Sequence, residues 1–148
     1  MAYTYEYPRP AVTVDSVVFC RFADGWKVLL IRRGQPPFQG SWALPGGFIE
    51  MNETLIESAR RELFEETCLS GIHLKQFRAY GDPGRDPRGR TVGVIFYGFT
   101  NAENTTAKGG DDAAEARWFG IEHLPVLAFD HGIILHDLIR KLKDDGDI

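Results

Sequence analysis

The sequence lacks the features that mark secreted and membrane-spanning proteins. Its 148 residues include only two cysteines, Cys20 and Cys68, too few for a disulfide framework, which predicts a reducing compartment. No apolar run approaches the roughly 20 residues that a bilayer-spanning helix needs. The first residues carry neither a basic start nor a long apolar segment, so no secretory signal is expected. These absences predict a cytoplasmic location and no membrane partner.

An excess of positive charge is also missing. The 17 Lys and Arg residues face 21 Asp and Glu residues, and the net charge of −4 argues against a protein that neutralises nucleic-acid phosphates. Hydrophobic residues make up 43% and charged residues 26%, which are ordinary values for a soluble globular protein. With no internal repeat and no low-complexity segment, the length predicts a single domain over residues 1–148.

Strand and helix patterns alternate along the chain. Apolar segments rich in β-branched residues predict five strands, and two segments with helical apolar spacing predict two helices. The predicted strands are Ala11–Phe22, Trp26–Arg32, Ile72–Tyr80, Thr91–Thr100 and Ala116–Phe119, and the predicted helices are Thr54–Thr67 and Asp130–Lys143. Mixed strands with two helices indicate an α/β fold, an α/β/α sandwich around a mixed β-sheet.

The first predicted helix concentrates negative charge. Glu62, Glu65 and Glu66 are three and four residues apart, so Glu62 lies beside both others on the helix surface. Like charges this close destabilise a helix unless they are neutralised, and a hard divalent cation with oxygen ligands can neutralise them. The alternative is an ordinary solvated helix face, on which Glu57 pairs with Arg61 one turn later.

The segment before this helix favours the metal site. Gly46 and Gly47 lack side chains, which lets backbone carbonyl groups approach a metal or a phosphate closely. From Gly47 to Glu66 the order is Gly-x5-Glu-x7-Arg-Glu-Leu-x-Glu-Glu. This order resembles the signature of the Nudix hydrolases, which cleave nucleoside diphosphates linked to another group. One position departs from it, because Cys68 stands where the family has a glycine.

The resemblance covers nearly the whole chain and implies a Nudix fold with a metal centre. The implied cation is Mg²⁺, with Mn²⁺ as a substitute. The role of Glu53 and Arg61 would be to brace the loop and the helix. The implied metal ligands are the Gly47 carbonyl and the carboxylates of Glu62, Glu65 and Glu66.

A second charged segment, Gly81–Arg90, is a loop of Pro, Gly and Asp with three arginines. A guanidinium suits bidentate recognition of phosphate or stacking on a base, so Arg85, Arg88 and Arg90 are candidate substrate ligands. Alternatively, the neighbouring aspartates simply pair with these arginines in a rigid turn. The string RDPRG in this loop, and AFDH at Ala128–His131, resemble the ADP-ribose pyrophosphatase branch of the family.

Further candidates for substrate binding lie in and before the Gly/Pro-rich segment that follows the second strand. Arg32 and Arg33 would offset the charge of the phosphates. The aromatic rings of Phe38 and Trp42 would stack on an adenine, although a single aromatic residue is more often part of the core. An extended N-terminal arm rich in tyrosine would cover the base of the substrate or a second subunit, so a homodimer is compatible with the sequence.

The predicted activity is metal-assisted hydrolysis of a pyrophosphate bond in a small nucleotide substrate, with no nucleic-acid partner. ADP-ribose would give AMP and ribose 5-phosphate. The general base would be one of the helix glutamates, or else Glu115 or Asp112 from the acidic segment before the last predicted strand. Two alternatives stay open: a Nudix hydrolase of nucleoside triphosphates or other nucleotide sugars, and a non-catalytic domain that senses ADP-ribose or a related nucleotide.

Overall fold

The computed structural model of the protein describes residues 2–101 and 113–148. Within these ranges the chain forms seven strands and two helices. The strands are β1 (Ala11–Phe22), β2 (Gly25–Arg33), β3 (Trp42–Ala43), β4 (Gly46–Phe48), β5 (Lys75–Tyr80), β6 (Thr91–Thr100) and β7 (Ala113–Gly120), and the helices are α1 (Leu55–Thr67) and α2 (His131–Asp144). Neither helix is long and apolar enough to cross a membrane.

The strands form one mixed sheet in the order β3-β2-β1-β6-β5. The central strand β1 runs parallel to β6 and antiparallel to β2. Strands β5 and β6 are antiparallel to each other. Two strands lie off this path, because β4 pairs with β1 and β7 pairs with β2.

Along one edge, β1 changes its partner. Thr13 to Asp15 pair with β4, whereas Phe19 to Phe22 pair with β2. Between these two stretches, the Ser16 amide donates to the Pro45 carbonyl at 2.9 Å. The other edge of β1 stays paired with β6 from Ala11 to Cys20. The change of partner opens the sheet beside Asp15.

The two helices cover opposite faces of the sheet, as side-chain alternation along β1 shows. Val14 and Val18 lie in one buried core with Leu63 of α1. Val17 lies in a second buried core with Leu138 of α2. The predicted α/β/α sandwich with a mixed sheet is therefore confirmed.

The structure differs from the predicted strands in three respects. The segment predicted as Ile72–Tyr80 becomes a strand only at Lys75, although Ile72 and Leu74 are buried in the core beneath α1. These two residues are apolar because they pack in the core, and they do not pair with a strand of the sheet. The last strand is longer than predicted and spans Ala113–Gly120. The short strands β3 and β4 were not predicted, because two or three residues carry no readable period.

The ends of α1 follow from local chemistry. Thr54 is the N-cap, and its hydroxyl accepts from the Glu57 amide while the Glu57 carboxylate accepts from the Thr54 amide. This capping box satisfies two amides that the first turn leaves without helical partners. The helix ends at Cys68, which has a left-handed backbone with φ 64°. Glycine adopts this conformation most easily, so a cysteine here carries strain.

Candidate active site

A cavity of about 380 Å³ lies where β1 changes partners. Its walls come from β1, the β3–β4 segment, α1, the Gly81–Arg90 loop and the start of α2. The lining residues that matter most below are Asp15, Arg33, Gly46, Gly47, Glu62, Glu66, Arg85, Arg88, Phe129 and His131. A site built from such distant parts of the chain depends on the open sheet to bring them together.

Two glycines of β4 lie directly against carboxylates. A Cβ atom added at Gly46 would be 2.2 Å from Asp15 Oδ1, and one added at Gly47 would be 2.7 Å from the carboxyl carbon of Glu62. No side chain fits at Gly46, where a Cβ atom would also be 2.2 Å from the Val14 carbonyl oxygen, whereas one at Gly47 would require the Glu62 carboxylate to move. Successive residues of a strand face opposite sides of a sheet, so Asp15 lies on the α2 side and Glu62 on the α1 side.

Arg61 organises the acidic face of α1. Its Nε donates to both carboxylate oxygens of Glu53, at 3.0 and 2.9 Å. Its Nη1 donates to Glu62 at 2.9 Å and to Glu65 at 3.2 Å. Hydrogen bonds from the Arg61 guanidinium and the Ser58 hydroxyl hold the pKa of Glu53 below its usual range. Glu53 and Arg61 thus stand in a bracing arrangement beneath the loop.

Glu66 is the most buried acidic side chain of this helix. Its Oε2 accepts a hydrogen bond from the Gly46 amide at 3.3 Å, which ties α1 to the glycine wall. Burial, followed by the charge of Glu62, raises the pKa of Glu66 to about 9. Burial also raises the pKa of Glu62. Two neighbouring carboxylates in a water-poor wall favour binding of a positive charge.

The donors of this wall fit a hard divalent cation. In residues 2–101 and 113–148, no three acidic, histidine or cysteine side chains already stand at metal-binding distance, because Glu62 and Glu65 are drawn towards Arg61. Rotation of the long glutamate side chains would release them. Carboxylates beside a backbone that lacks Cβ atoms form an all-oxygen donor set, which suits Mg²⁺.

Arg85 is held by a partner from the far end of the chain. Its Nε and Nη2 donate to the two carboxylate oxygens of Asp130, both at 2.9 Å, and its Nη1 donates to the Thr91 hydroxyl at 3.3 Å. The Arg85 side chain is only 6% exposed. The guanidinium fork is thus occupied by Asp130, and Arg85 contributes positive charge to the cavity floor.

The other two arginines of the loop differ in position. Arg88 lines the cavity and pairs with the buried Asp86, whose Oδ2 lies 2.8 Å from Nη2. The Arg88 side chain is 37% exposed, so part of its guanidinium faces the opening. Arg90 does not line the cavity, and its carbonyl accepts a hydrogen bond from the Ala11 amide.

Of the candidate substrate ligands in and before the Gly/Pro-rich segment, some line the cavity and others lie outside it. Arg33 lines the cavity, and its Nε donates to the Pro37 carbonyl at 2.7 Å. Arg32 lies outside the cavity, where its Nε donates to the Gly40 carbonyl. Trp42 also lies outside and packs its ring edge against Phe119.

An aromatic pair stands beside the cavity. The ring of Phe38 lies 4.8 Å from that of Phe129, which lines the cavity. The guanidinium groups of Arg33 and Arg88 lie 5.0 and 5.2 Å from the centre of the Phe129 ring. Both phenylalanines have a left-handed backbone, with φ 59° and 52°. Such strain in bulky residues is typical of functional sites.

Of the two candidate bases outside α1, only Glu115 belongs to the described residues, and it does not line the cavity. Glu115 lies on β7, where its carboxylate pairs with Arg117 at 2.9 Å and with Arg32 at 3.8 Å. Asp112 lies outside the residues that the structure describes. Glu65 does not line the cavity either, and its side chain is 38% exposed.

Two buried residues of the cavity were not proposed as site residues from the sequence. Burial raises the pKa of Asp15 to about 7 and lowers the pKa of His131 to about 4. The Leu44 amide donates to His131 Nδ1 at 3.0 Å, while His131 Nε2 lies 3.8 Å from Asp15 Oδ2. A lone aspartate within the apolar run of β1 was the available signal for this pair.

Comparison with known proteins places this geometry in one family. The NUDIX domain matches residues 10–142. The ADP-ribose pyrophosphatase of Methanocaldococcus jannaschii is 42% identical over 90% of this chain and 76% of that protein. The ADPR responsive transcriptional repressor NtrR of Acinetobacter baylyi is 34% identical over 92% of this chain, which spans about half of the repressor (54%). The NUDIX domain of Shewanella oneidensis NrtR complexed with ADP ribose superposes with a TM-score of 0.83 at 30% identity, covering 92% of this chain and 90% of that one.

Proposed function

The chain belongs to the NUDIX family, and from this premise we propose that it hydrolyses ADP-ribose to AMP and ribose 5-phosphate. The observation that carries the proposal is the wall formed by Glu62 and Glu66 against the backbone of Gly46 and Gly47. It offers a metal-binding acidic surface on one side of a cavity with arginines on the other. The similarity to an ADP-ribose pyrophosphatase supports the choice of substrate.

Nudix hydrolases generally use divalent metal ions, and we propose Mg²⁺ for this chain, with Mn²⁺ as a substitute. The residues that would hold it are the Gly47 carbonyl, Glu62, Glu65 and Glu66. When bound, the cation would supply positive charge to the diphosphate and make a water molecule easier to deprotonate. Of these glutamates, Glu65 would have to exchange its ion pair with Arg61 for the metal.

The chain's own residues would orient the substrate and move the proton. Arg33 and Arg88 line the cavity and would offset the negative charge of the diphosphate, with the fixed Arg85 behind them. A glutamate of α1, Glu62 or Glu66, would accept the proton of the attacking water, because both carboxylates stand on the cavity wall.

The base of the substrate would stack beside the aromatic pair of Phe38 and Phe129. Aromatic rings and guanidinium planes both favour stacking on a purine. Phe38 is 43% exposed and lies beside Phe129, which lines the cavity.

The proposal extends to the setting of the protein. A small-molecule substrate, no nucleic-acid partner and a cytoplasmic location are supported by the net charge of −4 and by two free cysteines. A homodimer belongs to the same proposal. It is supported by the N-terminal arm, where Tyr3, Tyr5 and Tyr7 are 57%, 42% and 72% exposed.

Two alternatives have separate support. The acidic wall suits any nucleoside diphosphate derivative, so nucleoside triphosphates and other nucleotide sugars are rival substrates. The similarity to an ADPR responsive repressor supports a domain that binds ADP-ribose without cleaving it. We rank the hydrolase first, because all the charged residues of the Nudix signature are present.

The test is product formation from ADP-ribose, with dATP, NADH and GDP-mannose measured alongside, with and without Mg²⁺. We expect metal-dependent release of AMP from ADP-ribose in preference to turnover of the others. Preferred turnover of dATP or GDP-mannose would change the substrate and keep the chemistry. Tight binding of ADP-ribose without turnover would favour the sensing domain.

A further inference from the structure

One largely buried carboxylate of the cavity, Asp15, lies near the guanidinium groups of Arg85 and Arg88, but these two arginines donate their hydrogen bonds to other residues. The Asp15 side chain is only 10% exposed and lines the cavity. Within residues 2–101 and 113–148, no group donates a hydrogen bond to this carboxylate. Its neighbour His131 lies at 3.8 Å, beyond hydrogen-bond distance. The Asp15 carboxylate lines the cavity, so water or a bound ligand can supply the donor that the protein does not.

Asp15 is fixed in place by the sheet. Its backbone pairs with Gly46 on one edge and with Ile95 on the other. The carboxylate presses so closely on Gly46 that a Cβ atom there would clash at 2.2 Å. An aspartate also has a short side chain with few rotamers. Asp15 therefore stays on the α2 side of the sheet, while Glu62 lies on the α1 side.

His131 presents the complementary group. The Leu44 amide donates to Nδ1 at 3.0 Å, so the neutral imidazole carries its proton on Nε2. Nε2 is also the atom nearest to Asp15. The cavity floor thus offers an acceptor, the Asp15 carboxylate, beside a donor, the His131 Nε2–H.

This combination selects among the parts of a nucleotide substrate. A hydroxyl group both donates and accepts, so it satisfies Asp15 and His131 together. A phosphate oxygen carries no proton to donate at neutral pH, and an ionised Asp15 carboxylate repels it, although Arg85 and Arg88 nearby reduce that repulsion. A base has a better place beside the rings of Phe38 and Phe129.

We propose that Asp15 and His131 bind a hydroxyl of the sugar that the diphosphate carries, and that Asp15 rejects a phosphate at the same place. The pair would thereby select a sugar diphosphate over a nucleoside triphosphate. This inference rests on the proposed function and deepens it. It assigns Asp15 and His131 to substrate specificity, a role separate from the metal-binding glutamates.

The test is calorimetric binding of ADP-ribose, ADP and ATP, with Ca²⁺ in place of Mg²⁺ to slow turnover. Because ADP lacks the second sugar and ATP has a phosphate in its place, the wild type should bind ADP-ribose at least about tenfold more tightly than either. Equal affinity for all three would overturn the inference, even if ADP-ribose is hydrolysed. Failure of the wild type to bind ADP-ribose would overturn the proposed function as well.

The decisive variant is Asp15→Asn, which keeps the size of the side chain and removes its charge. We expect it to weaken ADP-ribose binding about tenfold and to leave ATP binding unchanged or tighter, so the ratio collapses. Asp137→Asn is the matched control, because Asp137 lies outside the cavity beside Tyr80. A folded Asp15→Asn protein that keeps the wild-type ratio would overturn the inference. If the variant does not fold, the wild-type panel still decides.

Discussion

The acidic face of α1 was predicted from the sequence to bind a cation and the loop Gly81–Arg90 to bind the substrate, and the charges of the two regions are arranged differently. In α1, Arg61 contacts Glu62, Glu65 and a carboxylate only eight residues away, Glu53. In the loop, Arg85 is held by Asp130, which lies 45 residues away.

The difference shows which charged groups can be placed from spacing alone. A helix sets the neighbours of a residue at three and four positions, so the spacing of the α1 carboxylates is enough to place them on one face. A loop sets no such neighbours. The sequence did not predict that the Arg85 fork is occupied by Asp130. Of the three arginines in the loop, only Arg88 keeps a partly exposed guanidinium at the cavity.

The largest effect should come from the acidic face. Glu66→Gln retains the size of the side chain but removes a charge from the wall that binds the cation, so we expect kcat for ADP-ribose to fall about 10³-fold. Steady-state kinetics at saturating Mg²⁺ would measure it. Glu122→Gln is the control, because Glu122 is an exposed glutamate paired with Lys143. Near-wild-type turnover of both Glu65→Gln and Glu66→Gln would contradict the metal assignment.

Changing the partner of the loop arginine Arg85 should instead lower the stability of the protein. Asp130→Asn leaves the buried Arg85 guanidinium without its counter-charge, so we expect unfolding to become about 3 kcal/mol easier. For a chain of this length, that corresponds to a fall in Tm of roughly 10 °C. Loss of a cap is not the cause, because the Asp130 side chain makes no capping hydrogen bond to α2.

The matched control for this prediction is again Asp137→Asn. The Asp137 carboxylate pairs with Arg78, which is 53% exposed, and accepts a hydrogen bond from the Tyr80 hydroxyl that an asparagine oxygen can still accept, so the variant should cost less than about 1 kcal/mol. Urea unfolding of both variants measures the difference. If both lost the same stability, the Arg85–Asp130 pair would be no more important than a surface ion pair.

The carboxylates of the cavity should make stability depend on pH. The folded state raises the pKa of Glu66 from 4.5 to about 9 and that of Asp15 from 3.8 to about 7. A raised pKa means that the folded protein binds the proton more tightly than the unfolded chain does. The stability that comes from this proton binding is lost as the pH rises from the unfolded to the folded pKa. His131, whose pKa falls from 6.5 to about 4, instead loses its contribution as the pH falls through that range.

Thermal unfolding in EDTA should therefore show Tm falling by several degrees from about pH 6.5 to about pH 9. Glu66→Gln should flatten this slope, since it removes the group with the largest shift. Addition of Mg²⁺ above pH 7 should raise Tm, because a ligand that binds only the folded state stabilises it. A wild-type Tm that rises over this range in EDTA would contradict the burial of these carboxylates.

The smallest effect should come from the end of α1. Cys68 is exposed and has φ 64°, so Cys68→Gly removes backbone strain without losing a buried contact. We expect a gain of about 1 kcal/mol with unchanged kcat. Arg60→Gly, within the same helix, should lose about 1 kcal/mol. Chemical unfolding of the pair would measure the contrast, and a loss of stability in Cys68→Gly would show that the thiol has another role.

Strands and helices could be predicted where their apolar side chains recur at a regular spacing. The bounds of β1 and β6 match the prediction, and α1 begins one residue later than predicted because Thr54 is its cap. The family was also identified correctly from the spacing of the Nudix signature. Short strands and buried coil were missed, as at Ile72 and Leu74, because burial alone does not distinguish a strand from a packed loop.

The sequence by itself determined the fold class, the family and the acidic face of α1, since all three depend on residues that are close along the chain. Only the tertiary structure decided which groups meet in the cavity. The fold brings Asp15 of β1 beside His131 of α2, and it pairs Asp130 with Arg85. The physical reason is that β1 exchanges one neighbouring strand for another. The two-residue period of side chains along a strand does not show which distant residues will meet at such an opening.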